Sequence, residues 1–341
     1  MAINWVPLTC VVVVLLMLQA CGSGSTSTVN GELSGHIFIG NRAGPWILDI
    51  QSGHYHPIPG AIWERNPHYP GLADFTAFPR SFDGSEYVET VENCYIKFGQ
   101  DRDCIVFHSK GGKPTDVFAL PDISFGPARM SRDGKLVGVV VENRGRKKGG
   151  PFFILHIYSR SGKLIKKFDR IEIRRHNFDW LPNNRLIFVS GQSIYVSGSS
   201  KPIVTIPAAL GQPGEPSANS NGNKIAFTVG EKSSTGILGT IWVIDSNGSG
   251  LTQLTEGSGW TRHRTPIWSP DGRWVFVIDQ STIQGKAYVV ASNAEKIHLD
   301  SNSKAVRPLR SFFKETIHKG SDPIPLSNQF GVRTGSIAWL P

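Results

Sequence analysis

The chain has 341 residues with 9 Trp and 18 Phe, enough for one large core or two small ones, and its 37 Gly and 22 Pro demand many turns. Helical periodicity is weak: no stretch longer than residues 310–318 could form a helix, which sets an α-helical fold aside. The formal charge of +9 favours anionic partners in general and says nothing of fold.

In chain order, residues 1–20 read as a signal peptide. Residues 11–18 are an apolar run of eight, too short to span a bilayer as a helix. Leu18-Gln19-Ala20-Cys21 follows and resembles a bacterial lipobox. The resemblance implies cleavage before Cys21 and acylation of its thiol. Met1 to Thr9 carries no Lys or Arg, although a positive n-region is usual. Gly22 stands where Asp usually marks inner-membrane retention in Gram-negative lipoproteins, so the resemblance implies the outer membrane, facing the periplasm. Residues 21–32 then read as a flexible polar tether, and 33–341 as a single domain.

Within 33–341 one turn recurs: Ser81-Phe-Asp83-Gly84, Ser131-Arg-Asp133-Gly134, Leu181-Pro-Asn183-Asn184, Asn219-Ser-Asn221-Gly222 and Ser269-Pro-Asp271-Gly272. The offsets are 50, 50, 38 and 50 residues. Each turn is followed by an apolar strand (SEYVET, KLVGVVVEN, RLIFVSG, KIAFTVG, RWVFVID) and then by a second one (CIVFHS, FFILHIYS, SIYVSGS, TIWVID, AYVVAS). Short strands in repeats of this length signal a β-propeller. The aspartates Asp83, Asp133 and Asp271 read as turn formers, each able to accept from a backbone N–H two residues on. Trp180, Trp242, Trp268, Trp274 and Trp339 recur at matched strand positions and read as core between blades. Residues 335–341 match the strand that precedes the turn but stop before it, and 35–40 and 45–50 match the strands that should follow. The expected fold is therefore all-β: a six-bladed β-propeller of four-stranded antiparallel blades, closed by N- and C-terminal strands that share one blade.

Residues 240–279, TIWVIDSNGSGLTQLTEGSGWTRHRTPIWSPDGRWVFVID, carry the whole repeat: a strand ending in Asp, a Gly turn, an LT pair and WSPDG. This resembles the TolB-like β-propellers. TolB carries an α/β domain before its propeller; here the tether leads straight into the first strand, so only the propeller is expected. The resemblance implies partners in the cell envelope, such as a peptidoglycan-associated lipoprotein.

Cys94 and Cys104 flank a hairpin in VENCYIKFGQDRDCIVFHS. Two readings stand: a disulfide across the hairpin in an oxidising compartment, or two free small hydrophobes. No C-x-x-C partner supports a metal site. His54 and His56, with His68, form the one His cluster; exposed polar surface and a metal site are both open. No cofactor is implied.

Candidate binding residues precede the innermost strands, where a propeller chain crosses one face and drops into the channel. Arg174, Arg175 and His176 precede one, Arg262, His263 and Arg264 a second, and Arg333 a third. Trp260 stands beside them. The loop ENRGRKKGG, with Arg144, Arg146, Lys147 and Lys148, and the long connection 301–333 are expected on the same face. Together they suggest a basic funnel for an anionic group, since guanidinium groups hold carboxylate or phosphate bidentately. The alternative is ordinary solvated surface, with Glu215 neutralising part of the charge. No G-x-S-x-G, P-loop or H-E-x-x-H is present. The expected role is a monomeric binding scaffold for an envelope protein or anionic envelope polymer, anchored by lipid at Cys21. A periplasmic hydrolase or lyase acting on an anionic polysaccharide is the alternative. The secretion signal argues against nucleic acid.

Overall fold

The computed structural model describes residues 33–41, 44–51, 55–57, 76–79, 86–91, 103–109, 114–121, 124, 128–143, 147–169, 171–174, 176–233, 236–257, 261–279, 286–309, 317–319, 322–324 and 337–340. Residues 1–20, Cys21 and the rest of the expected tether lie outside them.

Six antiparallel sheets of four strands account for nearly all of the described strands. Blade 1 takes Ile337–Leu340 from the C-terminal end and His36–Asn41, Gly44–Asp49 and Tyr55–Pro57 from the N-terminal end. Ile37 stands opposite Trp339, so the ring closes as the repeat predicts. Blade 2 is Thr76–Pro79, Glu86–Val91, Cys104–Ser109 and Pro114–Ala119. Blade 3 is Arg129–Met130, Leu136–Glu142, Phe153–Ser159 and Leu164–Phe168. Blade 4 is Phe178–Trp180, Leu186–Ser190, Ser193–Val196 and Val204–Thr205. Blade 5 is Gln212–Ala218, Lys224–Ser233, Gly236–Asp245 and Thr252–Gln253. Blade 6 is His263–Trp268, Trp274–Asp279, Lys286–Ala291 and Val306–Pro308. The first strand of each blade touches that of the next, from blade 1 round to blade 1 again.

The recurrent turn joins first to second strand and works through its side chains. Asp133 Oδ1 accepts from Lys135 N at 3.0 Å and from Ser131 Oγ at 2.7 Å, while Ser131 Oγ accepts from Leu136 N at 3.0 Å. Ser269 and Asp271 repeat this, with Arg273 N on Asp271 Oδ1 at 3.0 Å and Trp274 N on Ser269 Oγ at 2.9 Å. Although burial opposes it, hydrogen bonds from Ser269 and Arg273 hold the Asp271 carboxyl below its ordinary range. Asn219 and Asn221 do the same work in blade 5.

Both faces of a blade are covered by its neighbours, so its middle strands are apolar on both sides rather than alternating. In Leu136–Glu142, Val137, Val139 and Val141 pack with Val88, Ile105 and Phe107 of blade 2. Val140 faces the other way and packs with Phe178, Trp180 and Phe188 of blade 4. Trp268 and Trp274 fill the interfaces on either side of blade 6, the second together with Trp339 and Ile37. Trp180 Nε1 donates to Arg129 O at 2.8 Å and Trp268 Nε1 to Ser217 O at 2.9 Å, so an indole ties an innermost strand to the blade before it. Trp180, Trp268, Trp274 and Trp339 are core as expected; Trp242 is half-buried and packs at the edge of its cluster. Arg160 clamps blade 3 to blade 2, meeting Glu86 at 2.9 Å and Asp116 at 2.7 Å over the ring of Phe107.

Two short pairings lie outside the blades. Thr255–Glu256 and Ile297–His298 run parallel and bind blade 5 to blade 6. Ile317–Lys319 and Asp322–Ile324 form a hairpin within the 301–333 connection. Ile317 and His318 are thus extended and not the end of a helix, because they find a strand partner across a short turn. The one helical element among the described residues is the single turn Ala208–Leu210.

Gly138 shows how tightly the blades approach. A Cβ there would meet Phe178 Cε2 at 2.8 Å. Gly138→Val is expected to cost about 1–3 kcal/mol by overpacking, read as a lower denaturant midpoint, and the further change Phe178→Leu to recover part of the loss. Equal stability of Gly138→Val and wild type would show that the blades are not in this contact.

Candidate functional site: the channel mouth

Among the described residues, the crossings that leave blades 2 to 5 are each bonded to the hairpin joining the second and third strands of the blade they leave. Glu172 Oε2 accepts from Phe152 N at 2.6 Å and Phe153 N at 3.3 Å, and Ile173 N donates to Phe153 O. In blade 5, Gly239 N donates to Thr261 O at 3.0 Å and Gly239 pairs with Arg262. Crossings and hairpins therefore share one face, the mouth through which the innermost strands begin.

The innermost strands of blades 5 and 6 both carry a bulge. Register slips between Gly214 and Ser217 and again between Arg264 and Ile267. Glu215 (φ 47°) and Thr265 (φ 57°) occupy the left-handed region at these bulges, 50 residues apart. Non-glycine residues there are strained and need fixing from outside. The fixing passes from blade to blade. Asn177 Oδ1 of the blade 4 crossing accepts from Glu215 N at 3.3 Å, and Glu215 Oε2 accepts from Thr265 N at 2.8 Å. Arg264 Nε donates to Glu215 Oε1 at 3.1 Å, and Arg264 Nη2 also reaches that oxygen. Glu215 is only 7% exposed. A parallel link lies deeper: Arg129 Nη1 is 3.6 Å from Asp179 Oδ1, while Asp179 Oδ2 accepts from Ala218 N at 3.0 Å. Burial pushes the Arg129 guanidinium below its ordinary value, and Asp179 and Glu215 pull it back up.

This geometry sorts the residues proposed from sequence. Arg264 belongs to a compensated pair, as the presence of Glu215 suggested. His263 does not contribute a cation. It is 5% exposed, its Nδ1 lies 2.9 Å from Thr255 Oγ1, and burial holds its pKa at about 4, although Asp279 and Asp300 oppose the shift. Strand alternation turns it towards Thr255 while Arg264 points to Glu215 of blade 5. His176 and Arg262 are half-buried. Arg174, Lys147 and Lys148 are exposed and meet no carboxylate among the described residues. Arg175, Arg333, Trp260, Arg144 and Arg146 lie outside the described residues, as do Cys21, Cys94, His54 and His68. His56 falls on the outermost strand of blade 1. Cys104 is disulfide-bonded to a cysteine outside the described residues. Among the described residues no group of three His, Cys, Asp or Glu side chains could hold a metal, and no helix is long and apolar enough to cross a membrane. Sequence reasoning missed Arg129, Asp179 and Asn177. A column signal existed: Asn177, Glu215 and Thr265 each stand four positions before the recurrent turn, polar residues at the head of an apolar strand.

No protein-family model matches the chain, and no curated protein matches it. Solved structures do. TolB from Acinetobacter baumannii is 15% identical, with 91% of this chain and 68% of that one covered and a TM-score of 0.59. A putative TolB from Agrobacterium tumefaciens is 17% identical, covering 82% of this chain and 90% of its own at a TM-score of 0.50. The fold is that of the TolB-like propellers. Identities this low speak for fold alone, and the same disc recurs in a GH74 enzyme from Niastella koreensis (11% identity, 78% of this chain, 45% of that one, TM-score 0.52). A β-propeller fold can host either binding or catalysis, so function rests on the mouth itself.

Two measurements test the mouth. Glu215→Ala strands a guanidinium and the Thr265 N–H, and is expected to cost about 3–5 kcal/mol in unfolding free energy; a loss below about 1 kcal/mol would show that the pair does not hold the bulges. His263 is bound less tightly by protons when folded than when unfolded, so its burial stabilises fully above its ordinary pKa of 6.5 and is lost as pH falls towards about 4. Over that window the urea midpoint should fall by the equivalent of roughly 3 kcal/mol. His263→Gln should flatten this part of the profile, and an unchanged slope in that variant would assign it to other groups.

Proposed function

We propose that the chain is a binding scaffold of the bacterial envelope whose loop-bearing face takes an anionic group from a partner protein or an envelope polymer. The observation that carries the reading is the placement of cations. Buried Arg129 and half-buried Arg264 are already matched by Asp179 and Glu215. The exposed ones, Arg174 with Lys147 and Lys148, sit on a crossing and a hairpin joined through Glu172. Charges left unmatched at a rigid surface attract anions and steer their approach. The matched carboxylates are poorly placed for acid–base work, because each already accepts from an arginine and a backbone amide. Binding is therefore favoured over hydrolysis.

The rest of the reading follows the sequence. A signal peptide of residues 1–20 is removed, Cys21 is lipidated, and residues 21–32 tether the propeller 33–341 to the outer membrane, facing the periplasm. The protein acts as a monomer without a cofactor or nucleic acid. Cys94 is the partner of Cys104. A peptidoglycan-associated lipoprotein is one partner of the required kind. Arg175, Arg333, Trp260, Arg144 and Arg146 add to the same face, and the 301–333 insertion borders it.

Crosslinking a tagged copy in intact cells, with mass spectrometry of what is captured, tests this. Joint reversal of Arg174, Lys147 and Lys148 to Glu should cut capture roughly tenfold, and added salt should weaken capture by the wild type. Capture that survives reversal but is lost when residues 301–333 are shortened would place the site on the insertion.

A further inference from the structure

Among the described residues, the rim of blade 3 differs from the other rims. Outermost strands have two residues in blades 4 and 5 and three in blades 1 and 6. Short outer strands leave little unpaired backbone for another chain to join. Blade 2 ends in a longer strand, Pro114–Ala119, but Thr115 and Asp116 are held by Arg160 and Phe118 packs on Tyr158. Blade 3 ends in the five residues Leu164–Phe168, and every residue from 163 to 167 is exposed.

Its register also slips. Lys166 stands opposite Ile157 and Leu164 opposite Tyr158, so Ile165 is the extra residue of a bulge. A bulge bends the strand and re-aims a side chain. Here it presents Ile165 at 52% exposure beside Leu164 at 37%. Exposed Lys163, Lys166 and Lys167 flank these two in sequence, Lys166 with its Nζ 4.8 Å from the centre of the Phe168 ring, and Asp169 is the one carboxylate between residues 161 and 169.

A bulge and lysines are what an edge needs to refuse another strand. They do not explain Ile165, because a polar residue at the bulge would serve that end better. Exposed aliphatic tips flanked by long, flexible ammonium side chains suit a different partner. Aliphatic groups enter the boundary between headgroups and acyl chains, and lysine stems lie along apolar surface while their charges stay at the phosphates. We propose that the outer rim of blade 3 is a docking surface for an anionic lipid bilayer. Two aliphatic side chains are too little apolar area to hold the protein on a neutral surface, so the contact depends on anionic lipid. The proposal is independent of acylation at Cys21 and of the ligand at the channel mouth.

The test is hydrogen exchange by mass spectrometry on the full chain, alone and with vesicles of phosphatidylcholine, with or without phosphatidylglycerol. Exchange across residues 161–169 should slow several-fold with the anionic vesicles only, and residues 114–119 of blade 2 should not respond. Joint Lys163→Glu, Lys166→Glu and Lys167→Glu should lower apparent vesicle affinity at least about tenfold. Ile165→Ser with Leu164→Ser should abolish the protection. These side chains are exposed, so the thermal midpoint of each variant should stay near wild type. Absence of protection with anionic vesicles, or equal protection in the variants, would overturn the proposal. Protection that appears without vesicles and grows with protein concentration would also overturn it, by making the rim an interface between copies.

Discussion

Everything in this molecule depends on four residues near its end lying beside six near its beginning. Ile337–Leu340 supplies the innermost strand of blade 1, and Trp339 enters the cluster shared with Trp274 and Phe276 of blade 6. Without that pairing two blades would present an apolar face to water, and each of the others is covered only because the ring is continuous. The entropic cost is modest. Each doubling of a closed loop adds about 0.6 kcal/mol, so a ring of ~300 residues costs only about 1.5 kcal/mol more to close than a repeat of about 50. Burial of one large side chain offsets that.

Closure also explains the polar chain at the mouth. Glu215 and Thr265 hold backbone conformations that cost about 1–3 kcal/mol each outside such a framework. Neither could persist on an isolated blade, because each is fixed by the blade beside it: Glu215 N by Asn177, Thr265 N by Glu215. The same contacts remove charge from the channel. Glu215 serves the fold and silences Arg264 at once, which separates cations that lock blades from cations free to meet a ligand. That separation rests on burial, and a count of arginines in the sequence does not contain it.

The fold was legible because the turns carry their own chemistry. A Ser and an Asp two positions apart can each accept from a backbone N–H; three turns carry that pair, two carry Asn at the Asp position, and their near-regular offsets dictate where strands start. The terminal half-repeats then leave one way to close the ring. The mouth was only partly legible. Glu215 was placed correctly by alignment with the other repeats. His263 was misjudged because Arg262-His263-Arg264 looks uniformly basic, whereas a strand sends neighbours to opposite faces. Arg129 stands next to Met130, on a two-residue strand that no periodicity reveals, and its partner Asp179 is the middle residue of an FDW triplet that reads as core. Contacts between blades set these roles, and the partners lie about one repeat apart in the chain.

A propeller is a disc with two kinds of surface, and they are perpendicular. The mouth belongs to a face; Ile165 and its lysines belong to the rim. If the rim rests on a bilayer, the disc stands on edge and its loop-bearing face looks along the membrane rather than away from it. Partners would then be met sideways, in the layer just above the headgroups, where other anchored proteins and the polymers they hold are found. The proposed tether of residues 21–32, if it spans on the order of 20 Å as a flexible coil, would permit that posture but could not impose it. The rim would impose it, since two aliphatic side chains and their lysines fix which blade faces down. Anchoring and orientation are then separate functions of separate parts of the chain.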